Sequence, residues 1–192
     1  MTNRPLRIAI VGAGGISRHH RTAILAMPEA ATLVAVCDAR ESAAQALATS
    51  LPEPAATFSN HLSMIEAGGF DAAIIAVPHF LHFSVAKDFV EAGIPILVEK
   101  PLTSTLDETR ELRALSELRN VAVVAGQTQR FNREGFWLRN WIQNDPLGFG
   151  ALRSFDIHSW QNLPGYLYGT LGLPAGADHW LLDGKRAGGG VV

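Results

Sequence analysis

Five short apolar runs, at residues 6–11, 32–37, 72–77, 94–98 and 121–125, are spaced along the first 125 positions with helix-like stretches between them. The runs are nearly continuous rather than alternating, which is the pattern of strands covered on both faces in a parallel sheet. Strands that alternate with helices predict an α/β, Rossmann-type doubly wound parallel sheet for residues 1–125. A further short strand is expected at residues 56–58.

The helices carry their own signals. Leu81, Val85, Phe89 and Ala92 recur at spacings of four, four and three, and Gly93 follows as a stop. Thr105-Leu106-Asp107-Glu108 is a capping-box sequence opening a helix that runs to about Arg119. A first helix starts near Ile16 and closes before Pro28.

After Gly126 the pattern changes. Residues 132–143 read as a helix with Phe136, Trp137, Trp141 and Ile142 as a rough apolar stripe. Residues 151–160 ("ALRSFDIHSW") alternate as a strand with one wetter face, and residues 161–192 read as loop. One strand and a glycine-rich loop cannot enclose a core, so residues 126–192 are expected to be the beginning of a second domain, cut short.

Composition narrows the functional classes. A formal net charge of −2 without any Lys/Arg block argues against a nucleic-acid groove or an anionic membrane surface. The apolar runs are far shorter than the ~20 residues of a membrane-spanning helix. One cysteine, Cys37, leaves no internal disulfide to form, and a reducing cytoplasm is the simplest compartment. The seven histidines show no ligand spacing with carboxylates or thiols, so no metal is expected.

Chemistry gathers at strand ends. Gly12-Ala13-Gly14-Gly15-Ile16-Ser17 follows the first strand and opens the first helix. Gly12 permits a tight turn, Gly14 lets the backbone approach a pyrophosphate, and the helix N-terminus offers unpaired N–H groups to that anion. Ser17 stands where the motif prefers a third glycine, and its hydroxyl is a further donor for a phosphate. Asp38 ends the second strand, where an acid meets ribose hydroxyls. Its charge favours NAD, while Arg40 two residues on keeps NADP open. No phosphate-loop lysine motif is present.

The other strand ends are unusual as well. Val77-Pro78-His79 turns the chain after residues 72–77, with His82 beginning the next helix; either histidine also reads as a solvated helix-start residue. Glu99-Lys100-Pro101 closes the apolar run 94–98. A lysine beside a nicotinamide has a depressed pKa and exchanges a proton as hydride moves. Glu99 organises nearby polar groups, and Pro101 sets the chain direction, a cis bond being one way to do so. Without the glycine motif, Lys100 would read as an ordinary surface lysine.

These residues resemble the Gfo/Idh/MocA oxidoreductase family. "IVGAGGISRHH", "LVAVCDAR", "AAIIAVPHFLH", "GIPILVEKPL" and "VAGQTQRFN" are similar to its successive signatures, in order and spacing, across essentially the whole chain. The resemblance implies a Rossmann domain followed by an α+β domain with a large, mostly antiparallel sheet, and a homo-oligomer. It implies NAD(P)-dependent oxidation or reduction of a secondary alcohol or carbonyl on a sugar, inositol or similar polyol. Lys100 matches the active-site lysine. Gly12, Gly14, Gly15, Ile16, Ser17, Asp38, Arg40, Val77, Pro78, His82, Glu99 and Gln129 fall at or beside cofactor positions. Arg130, His158, Trp160, His179 and Trp180 are candidate substrate contacts. The family's Asp and His, four residues apart on a helix after the triple-glycine loop, are expected beyond Val192. If 192 residues were the whole product, a non-catalytic NAD(P)-binding module or sensor would be the alternative. A flavin or S-adenosylmethionine site leaves Glu99-Lys100-Pro101 without a role.

Overall fold

The structure, a computed structural model, describes residues 4–144, 148, 150, 151, 153, 154, 156, 158 and 179–187. Strands β1 (Leu6–Val11), β2 (Ala31–Cys37), β3 (Ala56–Phe58), β4 (Ala72–Ile75), β5 (Ile96–Val98) and β6 (Val123–Ala125) form one sheet ordered β3-β2-β1-β4-β5-β6. Every neighbouring pair is parallel. The expected doubly wound sheet is therefore what forms, and its order reverses between β1 and β4. At such a switch point the loops leaving the two strands diverge and open a crevice.

Helices α1 (Gly15–Leu25) and α2 (Glu41–Ala48) cover one face, and α3 (His61–Ala67), α4 (His82–Glu91) and α5 (Leu106–Arg119) cover the other. The division follows from strand alternation. Ala9 and Val11 pack with Met64, Val85, Phe89 and Leu112, whereas Ile10 and Val36 pack with Ile24, Ala44 and Leu47. Fully buried Phe89 and Ile10 each contribute about 1.5–3 kcal/mol to this two-sided core.

Two strands start later than their apolar runs, because helix ends claim the first residues. Gly93, at φ 78°, closes α4: its N–H donates to the Val90 carbonyl and that of Ile94 to Phe89 at 2.9 Å. Pro95 has no N–H to offer, so β5 begins at Ile96. Likewise Val121 donates to the Ser116 carbonyl at 3.0 Å, so β6 begins at Val123. The capping box of α5 forms as expected: Thr105 Oγ1 accepts the Glu108 N–H, and Glu108 Oε2 accepts those of Thr105 and Ser104.

The described residues fall into two compact units, one from Met1–Gly126 with His179–Val192, the other from Gln127–Asp178. In the second unit, α6 (Arg133–Asn144) realises the helix expected at 132–143, with the Trp137 and Trp141 rings stacked at 5.8 Å. In the first unit, a 3-10 turn (Trp180–Leu182) and α7 (Gly184–Ala187) form where loop was expected. Half of the strand expected at 151–160 lies outside the described residues, as does all of 159–178, and residues 151, 153, 154, 156 and 158 belong to no regular element.

Candidate functional site

All six strands run the same way, so the residues that follow them meet at one edge of the sheet. In spatial order these are Asp38 after β2, Gly12 after β1, Val77 and Pro78 after β4, and Glu99 with Lys100 after β5. From β2 to β5 is three strand spacings, roughly 14 Å at ~4.8 Å each.

The turn after β1 is possible only for glycine. Gly12 has φ 97°, and a Cβ there would overlap the carbonyl of Ala76. Gly14 is the extended residue before α1, and no side chain caps that helix, in contrast to Asn60 on α3 and Thr105 on α5. The N–H groups of Gly15 and Ile16 are thus left without a side-chain acceptor from the cap. A Cβ placed on Gly14 would meet only open space, which leaves room for an anion at the helix start. Ser17 departs from the expectation of a phosphate donor. Its side chain is wholly buried and its hydroxyl donates to the Gly12 carbonyl, so it braces the turn from inside.

Asp38 is tied to the same turn. Its Oδ2 accepts the Ala13 N–H at 2.8 Å and its Oδ1 accepts the Arg40 N–H at 2.9 Å. The Arg40 side chain is largely exposed, with Nε 3.5 Å from Asp38 Oδ1. Cys37, just before it, is buried; burial and the Asp38 charge push its thiol up to about 11, so it is an inert core residue at neutral pH.

At the ends of β4 and β5 the chain is held by backbone and imidazole contacts. His82 is fully buried, its Nδ1 2.6 Å from the Pro101 carbonyl and its Nε2 2.9 Å from the Val77 carbonyl. A solvated His82 is thereby overturned: both ring nitrogens face backbone oxygens. His79 is partly buried and its ring meets those of His82 at 5.4 Å and Trp180 at 4.3 Å, both edge-on. Trp180 and the adjoining His179 therefore sit at the end of β4, in the same unit.

Lys100 is exposed and its peptide bond to Pro101 is cis. Glu99 before it is only 7% exposed. Burial alone would raise the Glu99 pKa, but its bonds to His20 and to the Lys100 N–H outweigh this and leave it below the usual carboxylate value. Gly126, after β6, presses against the same residue: a Cβ there would lie 3.3 Å from the Glu99 Cα. His20, missed in the sequence reading, bonds Glu99 Oε1 at 2.9 Å. Its one local signal is phase, since Ser17, His20 and Ile24 fall at i, i+3 and i+7 on the inward face of α1.

Gln129 and Arg130 lie in a 3-10 turn of the second unit, both exposed, and the Gln129 side chain accepts a hydrogen bond from Asn132 at 2.8 Å. His158 is exposed and outside any regular element, and Trp160 lies outside the described residues. Among the described residues no helix is long and apolar enough to cross a membrane.

Comparison with known proteins gives a consistent result. The model of the Gfo/Idh/MocA family, an oxidoreductase family with an NAD-binding Rossmann fold, matches residues 6–127. Inositol 2-dehydrogenase 4 of Saccharopolyspora erythraea is 34% identical over 149 residues, 77% of this chain and 44% of that protein. D-glucoside 3-dehydrogenase of Escherichia coli is 30% identical over 166 residues, 83% of this chain and 47% of that one. The WlbA dehydrogenase from Bordetella pertussis, solved with NADH and UDP-GlcNAcA, superposes with a TM-score of 0.71 at 28% identity, covering 76% of this chain and 44% of that one. The chain thus spans just under half the length of these relatives.

Proposed function

Because this chain belongs to the Gfo/Idh/MocA oxidoreductase family and carries its NAD-binding Rossmann domain, we propose that it serves a dehydrogenase or reductase acting on a secondary alcohol or carbonyl of a sugar, inositol or similar polyol. The observation that carries the reading is the row Asp38, Gly12, Pro78, Lys100 along one sheet edge. An acid for ribose hydroxyls stands at one end, an uncapped helix start in the middle and an amine at the other.

These residues fit a dinucleotide. Asp38 would hold the adenosine ribose and its charge disfavours a 2′-phosphate, so NAD is the expected form. The backbone of Gly12–Ile16 would take the pyrophosphate, and Val77 and Pro78 would flank the nicotinamide half. Bound there, nicotinamide supplies the hydride acceptor or donor. Lys100 holds the substrate oxygen and takes its proton on oxidation, returning it on reduction. His79, Trp180 and His179, gathered at the β4 end, would contact the polyol. Residues 126–192 are read as the start of the substrate and oligomerisation domain, Gln129 and Arg130 among its site residues. The protein is further read as a cytoplasmic homo-oligomer, the single cysteine supporting a reducing compartment.

The test is Lys100→Met assayed with inositols and alkyl glucosides. Turnover should fall at least about 100-fold, the usual worth of a positioned acid–base group, with NADH affinity within about twofold. Equal turnover in the variant would remove Lys100 from the chemistry.

A further inference from the structure

The turn that carries Lys100 is held on both sides by imidazoles from two different helices. Before the lysine, Glu99 is fixed by His20 of α1: His20 Nε2 lies 2.9 Å from Glu99 Oε1, and Glu99 Oε2 accepts the Lys100 backbone N–H at 3.2 Å. After it, the Pro101 carbonyl is held by His82 of α4 at 2.6 Å. A carboxylate only accepts, so the His20 nitrogen facing Glu99 acts as donor.

We propose that His20 is a positioning residue for Lys100, acting through Glu99, with His82 anchoring the far side of the same turn. His20 stands on the inward face of the helix whose first turn would receive the pyrophosphate. The contact therefore joins the cofactor-binding helix directly to the turn bearing the proton-handling amine. Its side chain is 16% exposed and that of Glu99 is 9% exposed, so the pair is shielded from competing water. On the β6 side, a Cβ on Gly126 would lie 3.5 Å from the Glu99 carboxyl carbon, so the backbone leaving β6 passes close to this carboxylate. The carboxylate is bound by His20 through one oxygen and by the Lys100 backbone N–H through the other. His20 touches neither substrate nor the reacting atoms in this arrangement; it fixes where they meet.

This assignment rests on reading Lys100 as the proton-handling group, so its test is chosen to work without substrate. The chain has three lysines, Lys87, Lys100 and Lys185. Reductive methylation with 13C-formaldehyde gives each a separate NMR signal, with Lys100→Arg identifying the signal of interest. In His20→Ala and Glu99→Gln the Lys100 signal should shift and its labelling rate should rise severalfold, while Lys87 and Lys185 stay unchanged. His20→Gln, which keeps an N–H donor, should recover most of the original signal. His82→Asn should move the same signal from the other side of the turn. An unmoved Lys100 signal in both His20→Ala and Glu99→Gln overturns the proposal, as does an equal change at all three lysines, which would report general loosening. NADH added to the unmutated chain reports separately on the cofactor reading. If the Lys100 signal ignores it, that reading falls, while the role of His20 is still decided by the ligand-free spectra.

Discussion

The Asp38 carboxylate accepts the backbone N–H of Ala13 at 2.8 Å, tying the end of β2 to the glycine turn across 25 positions. The acid proposed to hold the adenosine ribose thus also holds the glycine turn in shape. Asp38→Asn keeps an oxygen for Ala13 but removes the charge. It should weaken NADH by about tenfold, some 1.4 kcal/mol, and raise the affinity for NADPH relative to NADH. Fluorescence titration of both nucleotides measures this; an unchanged preference would place the ribose away from Asp38.

Gly12→Ala should be costly in two ways. The φ of 97° is unfavourable for alanine, and the new Cβ has nowhere to go beside the Ala76 carbonyl. A loss of about 1–3 kcal/mol in urea unfolding is expected, together with loss of NADH binding. Full stability in the variant would mean that the turn does not have this backbone shape.

At the opposite edge, where the strands start, Asp71 binds Arg4 at 2.6 Å and both the backbone N–H and the side chain of Arg7. The Arg4 and Arg7 hydrogen bonds hold its carboxyl well below the usual carboxylate range. A depressed folded-state pKa adds stability that is complete above the unfolded value of ~3.9 and fades as the pH falls below it. Asp71→Asn should therefore lower Tm at pH 7, and the gap to the unmutated protein should narrow below about pH 4. NADH affinity should not change, since no residue of the cofactor edge touches Asp71. Thermal melts at pH 3 and pH 7 decide it; a constant gap would show that the ion pairs are not what Asp71 contributes.

The helix that follows the Lys100 turn depends on the residue that caps it, Thr105. Thr105→Ala removes the acceptor for the Glu108 N–H and half of the capping box. A loss of about 1 kcal/mol in urea unfolding is expected, with Thr105→Ser restoring most of it. A neutral Thr105→Ala would mean that the Glu108 side chain alone satisfies this helix end.

Much of this was legible because it is written in short spans. Gly93 stops α4 and Thr105 starts α5 through contacts within four residues, so the local text suffices. The strand starts at β5 and β6 were misjudged by two residues because apolar character marks burial, not hydrogen-bond partners. Ile94 and Val121 are apolar yet spend their N–H groups on helix ends. Ser17 and His82 stand at the helix starts expected of them, but a hydroxyl or imidazole there looks the same whether it faces a ligand or a carbonyl.

By itself, then, the sequence determined the alternation of strands and helices over the first 125 residues, the glycine turn and the acid and amine that follow strands two and five. Those follow from periodicity and from backbone conformations that only certain residues adopt. Only the tertiary structure decided that His20 reaches Glu99 across 79 positions and that His82 lies between the carbonyls of Val77 and Pro101. Such partners are set by where parallel strands deposit their ends, and no local pattern in the chain records that distance.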